Sequence, residues 1–304
     1  MVEAPGDTGI ISCGSTFRRA DGRKLGFAEY GDPHGFPVLA FHGVPGTRFM
    51  FKPTAGPARA RALRIIAPDR PGFGLSEPQP GRVLSDWLDD VAALLKHTAV
   101  GRFSLVAISG GAPYATLTAA HFGDRVASLG LVSPMGPVAD LGDEIDMPLL
   151  QRRFFTKLAQ RERVVRFGIG GAKAIFRLAP EVSYDLMVRT LPEPDREILN
   201  DPVKKRHVIA DVKESLTFDG DGTRTDYRIF SEPWGVDYEM ITAPSVLWQG
   251  LDDTIVPISA AMELGRRIPD CRIIELAGEG HFWGLQAIDE ILDRIATLAK
   301  IGQS

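Results

Sequence analysis

Cysteine is nearly missing from this chain. Cys13 and Cys271 are the only two among 304 residues, too few for a disulfide framework and without any metal-ligand spacing, so two free thiols are expected. Long apolar runs are missing as well. No stretch of about 18 uninterrupted apolar residues suggests a membrane-spanning helix, and the opening Met1-Val2-Glu3-Ala4-Pro5-Gly6-Asp7 lacks the basic-then-apolar order of a secretory leader. A cytoplasmic protein without stable membrane insertion is the default that follows. Positive charge is not in excess either: 35 Lys and Arg against 39 Asp and Glu leave a formal net charge of -4, which offers nucleic acid no basic surface, so no nucleic-acid partner is expected. One segment, Arg152, Arg153, Lys157, Arg161, Arg163 and Arg166, is locally basic, but apolar residues interrupt it at helical intervals, as on a solvated helix face. Internal repeats and low-complexity segments are absent.

What is present is ordinary globular material, 44% hydrophobic and 24% charged, enough to bury a sizeable core. A hairpin is predicted from residues 16–19 and 24–30 around Asp21-Gly22. Short apolar runs then recur at 38–41, 63–67, 103–108, 129–132, 245–248 and 272–276, the pattern of strands buried on both faces. Between them lie segments with apolar residues three and four apart: 85–99, where Leu88, Val91, Leu94 and Leu95 share a face, and 112–122, 259–267 and 285–300. Ser85 can cap the first of these, and Asp86 suits its positive end. Strands alternating with helices imply crossover units, hence an α/β fold with a mainly parallel sheet and helices on both faces. From residue 137 to 233 the alternation stops and helical patterning without a buried strand takes over. The chain therefore divides into a core, 1–136, an inserted helical cap, 137–233, and the rest of the core, 234–304.

The most informative local sequence is Leu105-Val106-Ala107-Ile108-Ser109-Gly110-Gly111-Ala112-Pro113-Tyr114-Ala115, a strand entering a small-residue turn and then a helix. This is the context of a nucleophile elbow, in which a strained serine is raised above the sheet and its neighbours two residues away are small. Ala107 and Gly111 meet that need. The following helix aims unpaired N–H groups at the site, and the N–H of Gly110 is placed to bind an oxyanion. A serine hydroxyl needs a base, and the base needs an orienting carboxylate. Asp252 and Asp253, in Gly250-Leu251-Asp252-Asp253, follow one strand, and His281, in Gly278-Glu279-Gly280-His281, follows the next. Ligands bind at the carboxyl ends of strands in such sheets, so Ser109, an Asp and His281 are expected to meet in one crevice.

Two further motifs, Phe41-His42-Gly43-Val44-Pro45-Gly46-Thr47 and Asp69-Arg70-Pro71-Gly72-Phe73-Gly74-Leu75-Ser76, complete a resemblance to the α/β-hydrolase superfamily, specifically a serine hydrolase branch with a helical cap. The resemblance covers about residues 15–136 and 234–304. It implies that Val44 supplies the second oxyanion N–H and that His42 supports its loop rather than reacting. The family spacing of Gly, two residues, Asp, two residues and Val-Pro matches Gly250, Asp253 and Val256-Pro257, which favours Asp253 over Asp252. Glycine is usual where Ala107 stands, and alanine keeps the steric logic. A serine at 109 excludes the epoxide hydrolase and haloalkane dehalogenase branches, whose nucleophile is an aspartate.

The reaction so implied is ester hydrolysis through an acyl-enzyme: His281 is the general base, with an activity that rises with pH through about 6 to 7, and neither metal nor other cofactor is required. Gly168-Ile169-Gly170-Gly171 is no dinucleotide loop, because no strand precedes it. Met147, Leu149, Leu150, Phe154, Phe155, Phe167, Ile169 and Phe176 are available to line an apolar pocket or to pack cap against core, and His207 is a candidate substrate contact. The expected partner is a small or medium hydrophobic acyl compound, the expected assembly a monomer or homodimer. Two other readings use the same residues: a carbon–carbon bond hydrolase of ring-fission diketones, and a ligand-binding receptor on a hydrolase scaffold.

Overall fold

Alternation along the strands decides the layers. In the computed structural model, which describes residues 9–142, 153–155 and 159–301, the strands are β1 (Ile10–Arg18), β2 (Lys24–Gly31), β3 (Phe36–Phe41), β4 (Leu63–Pro68), β5 (Phe103–Ile108), β6 (Val126–Val132), β7 (Ser245–Gly250) and β8 (Cys271–Leu276). They form one sheet in the order β1-β2-β4-β3-β5-β6-β7-β8. The β1/β2 and β2/β4 pairs are antiparallel; from β4 to β8 every pairing is parallel. Cys13 and Cys271 are free and stand on the two outermost strands. The helices are α1 (Ala55–Ala60), α2 (Asp86–His97), α3 (Ala112–Phe122), α4 (Val138–Leu141), α5 (Glu162–Leu178), α6 (Pro180–Arg189), α7 (Glu193–Leu199), α8 (Pro202–Ser215), α9 (Asp221–Phe230), α10 (Ile258–Arg267) and α11 (Ile288–Ile301).

Leu39, Phe41, Leu105, Ala107 and Leu247 point to one face, where they bury against α2, α3 and α10 through Trp87, Val91, Leu94, Ala115 and Leu264. Val38, Ala40, Val106, Val246 and Trp248 point to the other, against α1 and α11 through Ala58, Ile291, Leu292 and Ile295. A period of two with both faces apolar is what a covered parallel sheet requires. Between β6 and β7 the described residues hold helices α4 to α9 and no strand. Among the described residues no helix is long and apolar enough to cross a membrane.

Two local expectations need correction. Strand β1 starts at Ile10, well before residue 16, because its first half pairs with β2 through register shifts between Ile10, Ser12 and Ser15; the irregular, half-exposed edge hides the alternation. Ser85 makes no side-chain cap to α2; it already has helical backbone angles, and Asp86 instead accepts the N–H of Val83 at 2.8 Å.

Candidate active site

The carboxyl ends of β3, β5, β7 and β8 open on one edge of the sheet, and each launches one of the loops singled out above. Ser109 leaves β5 with φ +51, a left-handed conformation that costs a non-glycine residue energy and persists only where the surroundings enforce it. The turn is enforced by close approach. A Cβ on Gly111 would stand 2.4 Å from the Phe41 carbonyl oxygen, so the strand-to-helix passage admits only glycine there. A Cβ on Gly43 would lie 3.3 Å from Ser109 Cβ, and one on Gly110 would lie 3.1 Å from Val44 Cγ2 and 2.8 Å from Phe230 Cζ. The β3 loop, carrying Gly43 and Val44, thus lies directly against Ser109 and Gly110. Ala107 is fully buried in the core.

The loops after β7 and β8 are joined through Asp253 and His281. Asp253 Oδ2 accepts a 2.7 Å bond from His281 Nδ1 and a 3.2 Å bond from Gln249 Nε2. Its Oδ1 accepts the N–H groups of Ile255 and Val256 at 2.8 and 3.1 Å. Burial disfavours both ions, but each outweighs it for the other: the Asp253 carboxyl is held below its ordinary 3.8 and the His281 ring is pushed above 6.5. Asp252 is exposed while Asp253 is buried. Gly250 makes the crossing possible, since a Cβ there would meet the carbonyl oxygens of Glu279 and Gly280 at 2.4 and 2.5 Å. Among the described residues no hydrogen bond links Ser109 Oγ to the ring, and none holds a metal-binding cluster of three or more His, Cys, Asp or Glu.

His42 is fully buried and spent on structure: Nδ1 donates to the Gly43 carbonyl at 2.8 Å and Nε2 accepts the Arg70 N–H at 3.2 Å. Burial, reinforced by the Arg70 cation, holds its pKa well below 6.5. The Arg70 guanidinium donates to the carbonyls of His42 and Gly43 and pairs with Asp226 of α9 at 2.8 Å. Asp226 also takes Arg82 and the Tyr114 hydroxyl, at 2.5 Å for the latter. The Asp69 to Ser76 stretch is a scaffold too: Asp69 accepts from Arg48 and Leu75, and Ser76 Oγ donates to the Asp69 carbonyl at 2.7 Å.

Sequence reading missed three aspartates of the inserted segment that grip these loops. Asp226 has just been described. Asp211 of α8 accepts both the N–H, at 2.9 Å, and the hydroxyl of Thr47, which follows Val44. Burial, with the neighbouring Asp69 carboxylate adding to it, drives the Asp211 carboxyl up to about 8. Asp195 of α7 accepts the N–H groups of His281 and Phe282. No local pattern marks any of them.

The apolar residues expected to line a pocket divide. Phe154 and Phe155 pack with Tyr227, which packs in turn with Phe230, the latter standing against Gly110. Ile169 lies on Gly220, and Phe176 packs against Tyr184 and its neighbours. Phe167 is 87% exposed and lines no pocket, because α5 turns that face to solvent. Its glycines at 168, 170 and 171 lie inside the helix. His207 is half-buried on α8, with Nε2 lacking a partner among the described residues. Met147, Leu149 and Leu150, like Arg152 and Lys157, lie outside the described residues; Arg153, Arg161, Arg163 and Arg166 are exposed.

The sequence profile of the alpha/beta hydrolase fold matches residues 37–286. The chain belongs to that family. It is 28% identical, over 89% of its length, to the dihydrolipoyllysine-residue acetyltransferase component of the acetoin cleaving system of Pseudomonas putida, of which the match spans 65%. It is 33% identical over 37% of its length to 2-hydroxy-6-oxo-2,4-heptadienoate hydrolase of Pseudomonas putida, spanning 42% of that enzyme. The chain thus covers less than two thirds of these curated relatives. Among solved structures, a thermophilic esterase from Thermogutta terrifontis superposes with a TM-score of 0.67 at 22% identity, covering 96% of this chain and 99% of the esterase, a likeness of fold.

Proposed function

We propose that this α/β-hydrolase is a serine hydrolase that cleaves carboxylic esters of small or medium hydrophobic substrates through an acyl-enzyme. The bond from His281 Nδ1 to buried Asp253 at 2.7 Å carries the reading. With the Nδ1 proton engaged, Nε2 keeps its lone pair for the proton of Ser109 Oγ as the oxygen attacks the ester carbonyl. The N–H groups of Val44 and Gly110 then bind the oxyanion. His281 returns the proton to the departing alcohol, takes another from water, and the serine ester is hydrolysed. Residues 137–233 act as the cap over the crevice, and Phe230 against Gly110 gives the acyl site an apolar wall. The two free thiols suit a reducing compartment such as the cytoplasm.

The partial similarity to a heptadienoate hydrolase favours one alternative, carbon–carbon cleavage of a ring-fission diketone by the same residues. An ester panel of varied acyl length, together with a dienoate diketone, separates the two. Turnover of p-nitrophenyl esters by the wild type, with Ser109→Ala folded but lowered by at least about 10⁴-fold, is the expected result. Appreciable hydrolysis by Ser109→Ala overturns the assignment, and turnover confined to the diketone selects the alternative.

A further inference from the structure

Asp195 lies in α7, within the inserted segment, and its side chain is fully buried. Among the described residues no Lys or Arg pairs with it. A buried carboxylate without a cation is tolerated only if N–H donors occupy its oxygens. Here both donors come from the loop after β8: the His281 N–H reaches Oδ2 at 3.0 Å and the Phe282 N–H reaches Oδ1 at 2.7 Å. The loop is shaped for this contact, because a Cβ on Gly280 would stand 2.4 Å from the Asp195 carboxyl carbon and from both oxygens. Glycine at 280 is therefore what lets the carboxylate seat.

His281 is consequently held twice, its ring by Asp253 of the core and its backbone by Asp195 of the insertion. We propose that Asp195 is a positioning residue: it seats the His281 backbone so that Nε2 is presented to Ser109, and its negative charge supports the imidazolium that forms as the serine proton moves. The proposal rests on His281 being the general base. The ring feels the charge of Asp253, from the loop after β7, and of Asp195, from α7; burial pushes the Asp195 carboxyl above its ordinary 3.8, against the two N–H bonds that lower it, and Glu279, on the loop itself, feels Asp195 in turn. Catalytic competence is thereby tied to the docking of the insertion on the core, since α7 cannot lift away without releasing the loop that carries the base.

The test compares wild type, Ser109→Ala, Asp195→Ala and Asp195→Asn on p-nitrophenyl butyrate across pH, with circular dichroism as the check on folding. Asp195→Ala is expected to lower kcat by about 10- to 100-fold, the usual consequence of displacing a reacting group by about 1 Å, with KM changed by less than about twofold. Asp195→Asn, which can still accept one of the two N–H bonds, falls between, and the acidic limb of its kcat/KM profile moves to lower pH. A folded Asp195→Ala with wild-type kcat, or an Asp195→Asn profile that superposes on the wild type, overturns the proposal while leaving the hydrolase reading intact. If the wild type turns over no more ester than Ser109→Ala, the hydrolase reading fails by itself. The His281 ring titration, followed by NMR in wild type and Asp195→Asn, then still decides: a lower pKa in the variant supports the role of Asp195, and an unchanged one sinks it.

Discussion

Replacing Asp253 with asparagine separates the two readings of Asp252 and Asp253 and tests the electrostatics of the site at once. Four donors converge on the carboxylate: His281 Nδ1 and Gln249 Nε2 on Oδ2, and the Ile255 and Val256 N–H groups on Oδ1. An asparagine satisfies the two backbone donors through its one acceptor oxygen. Its NH2 group then faces two further donors. The Gln249 amide loses one of its two acceptors and keeps the Gly250 carbonyl at 2.9 Å, and the imidazole is driven into the opposite tautomer, with Nδ1 accepting and Nε2 protonated. That ring cannot take the Ser109 proton. A triad with the wrong tautomer loses about 10⁴ in kcat, and four decades at 1.36 kcal/mol each correspond to about 5.5 kcal/mol of lost transition-state stabilisation. The assay is kcat on p-nitrophenyl butyrate between pH 5 and 9. In the wild type the acidic limb falls above the ordinary histidine value of 6.5, because the ion pair outweighs burial of the ring, a sharper placement than the sequence alone allows. Asp252→Asn, at an exposed position, should stay within about twofold of wild type. Activity of Asp253→Asn within about tenfold of wild type, or equal damage from both substitutions, would refute the reasoning.

Asp226→Ala should destabilise the fold by roughly 3–5 kcal/mol, because it strands the buried Arg70 and Arg82 without their counter-ion; urea unfolding measures this, and a loss below about 1 kcal/mol contradicts it. Asp211 provides a pH dependence of known sign. Its carboxyl sits at about 8 in the folded protein against an ordinary 3.8, so the fold binds a proton that the unfolded chain releases. The stability it contributes is complete below pH 4 and is lost as pH climbs to 8. Asp211→Asn, whose amide oxygen can still receive the Thr47 donors, should therefore gain on the wild type in thermal stability between pH 5 and 8.5; parallel curves for the two proteins would contradict this.

The periodic apolar runs located the inner strands to within three residues, the widest miss being the start of β6 at Val126, because burial on both faces leaves a continuous apolar segment that the chain bears locally. The edge strand β1 was half hidden by polar residues and register shifts, and Ser85 looked like a cap although the chain already turns helically through it. Phe167 was an apolar letter like Phe155, yet one stands in solvent and the other is buried. In the candidate site, what could be read was the set of loops that leave one sheet edge and the residue types they carry. The carboxylates that hold those loops were invisible. Asp195 lies 86 positions from His281, Asp211 lies 164 from Thr47 and Asp226 lies 156 from Arg70, and each reads as one more surface acid on a helix.

By itself the sequence determined what depends on neighbours along the chain: strand and helix periods, the small residues that an elbow demands, and the order in which serine, acid and histidine leave the sheet. Motif spacing already favoured Asp253 over Asp252, and the structure buries that aspartate against His281; tertiary structure alone decided that three acids of the insertion turn inward to hold the loops of the core. Local patterns record the backbone's own preferences. The ionic and hydrogen-bond partners of a buried carboxylate are fixed only when distant segments pack and exclude the water that would otherwise solvate it.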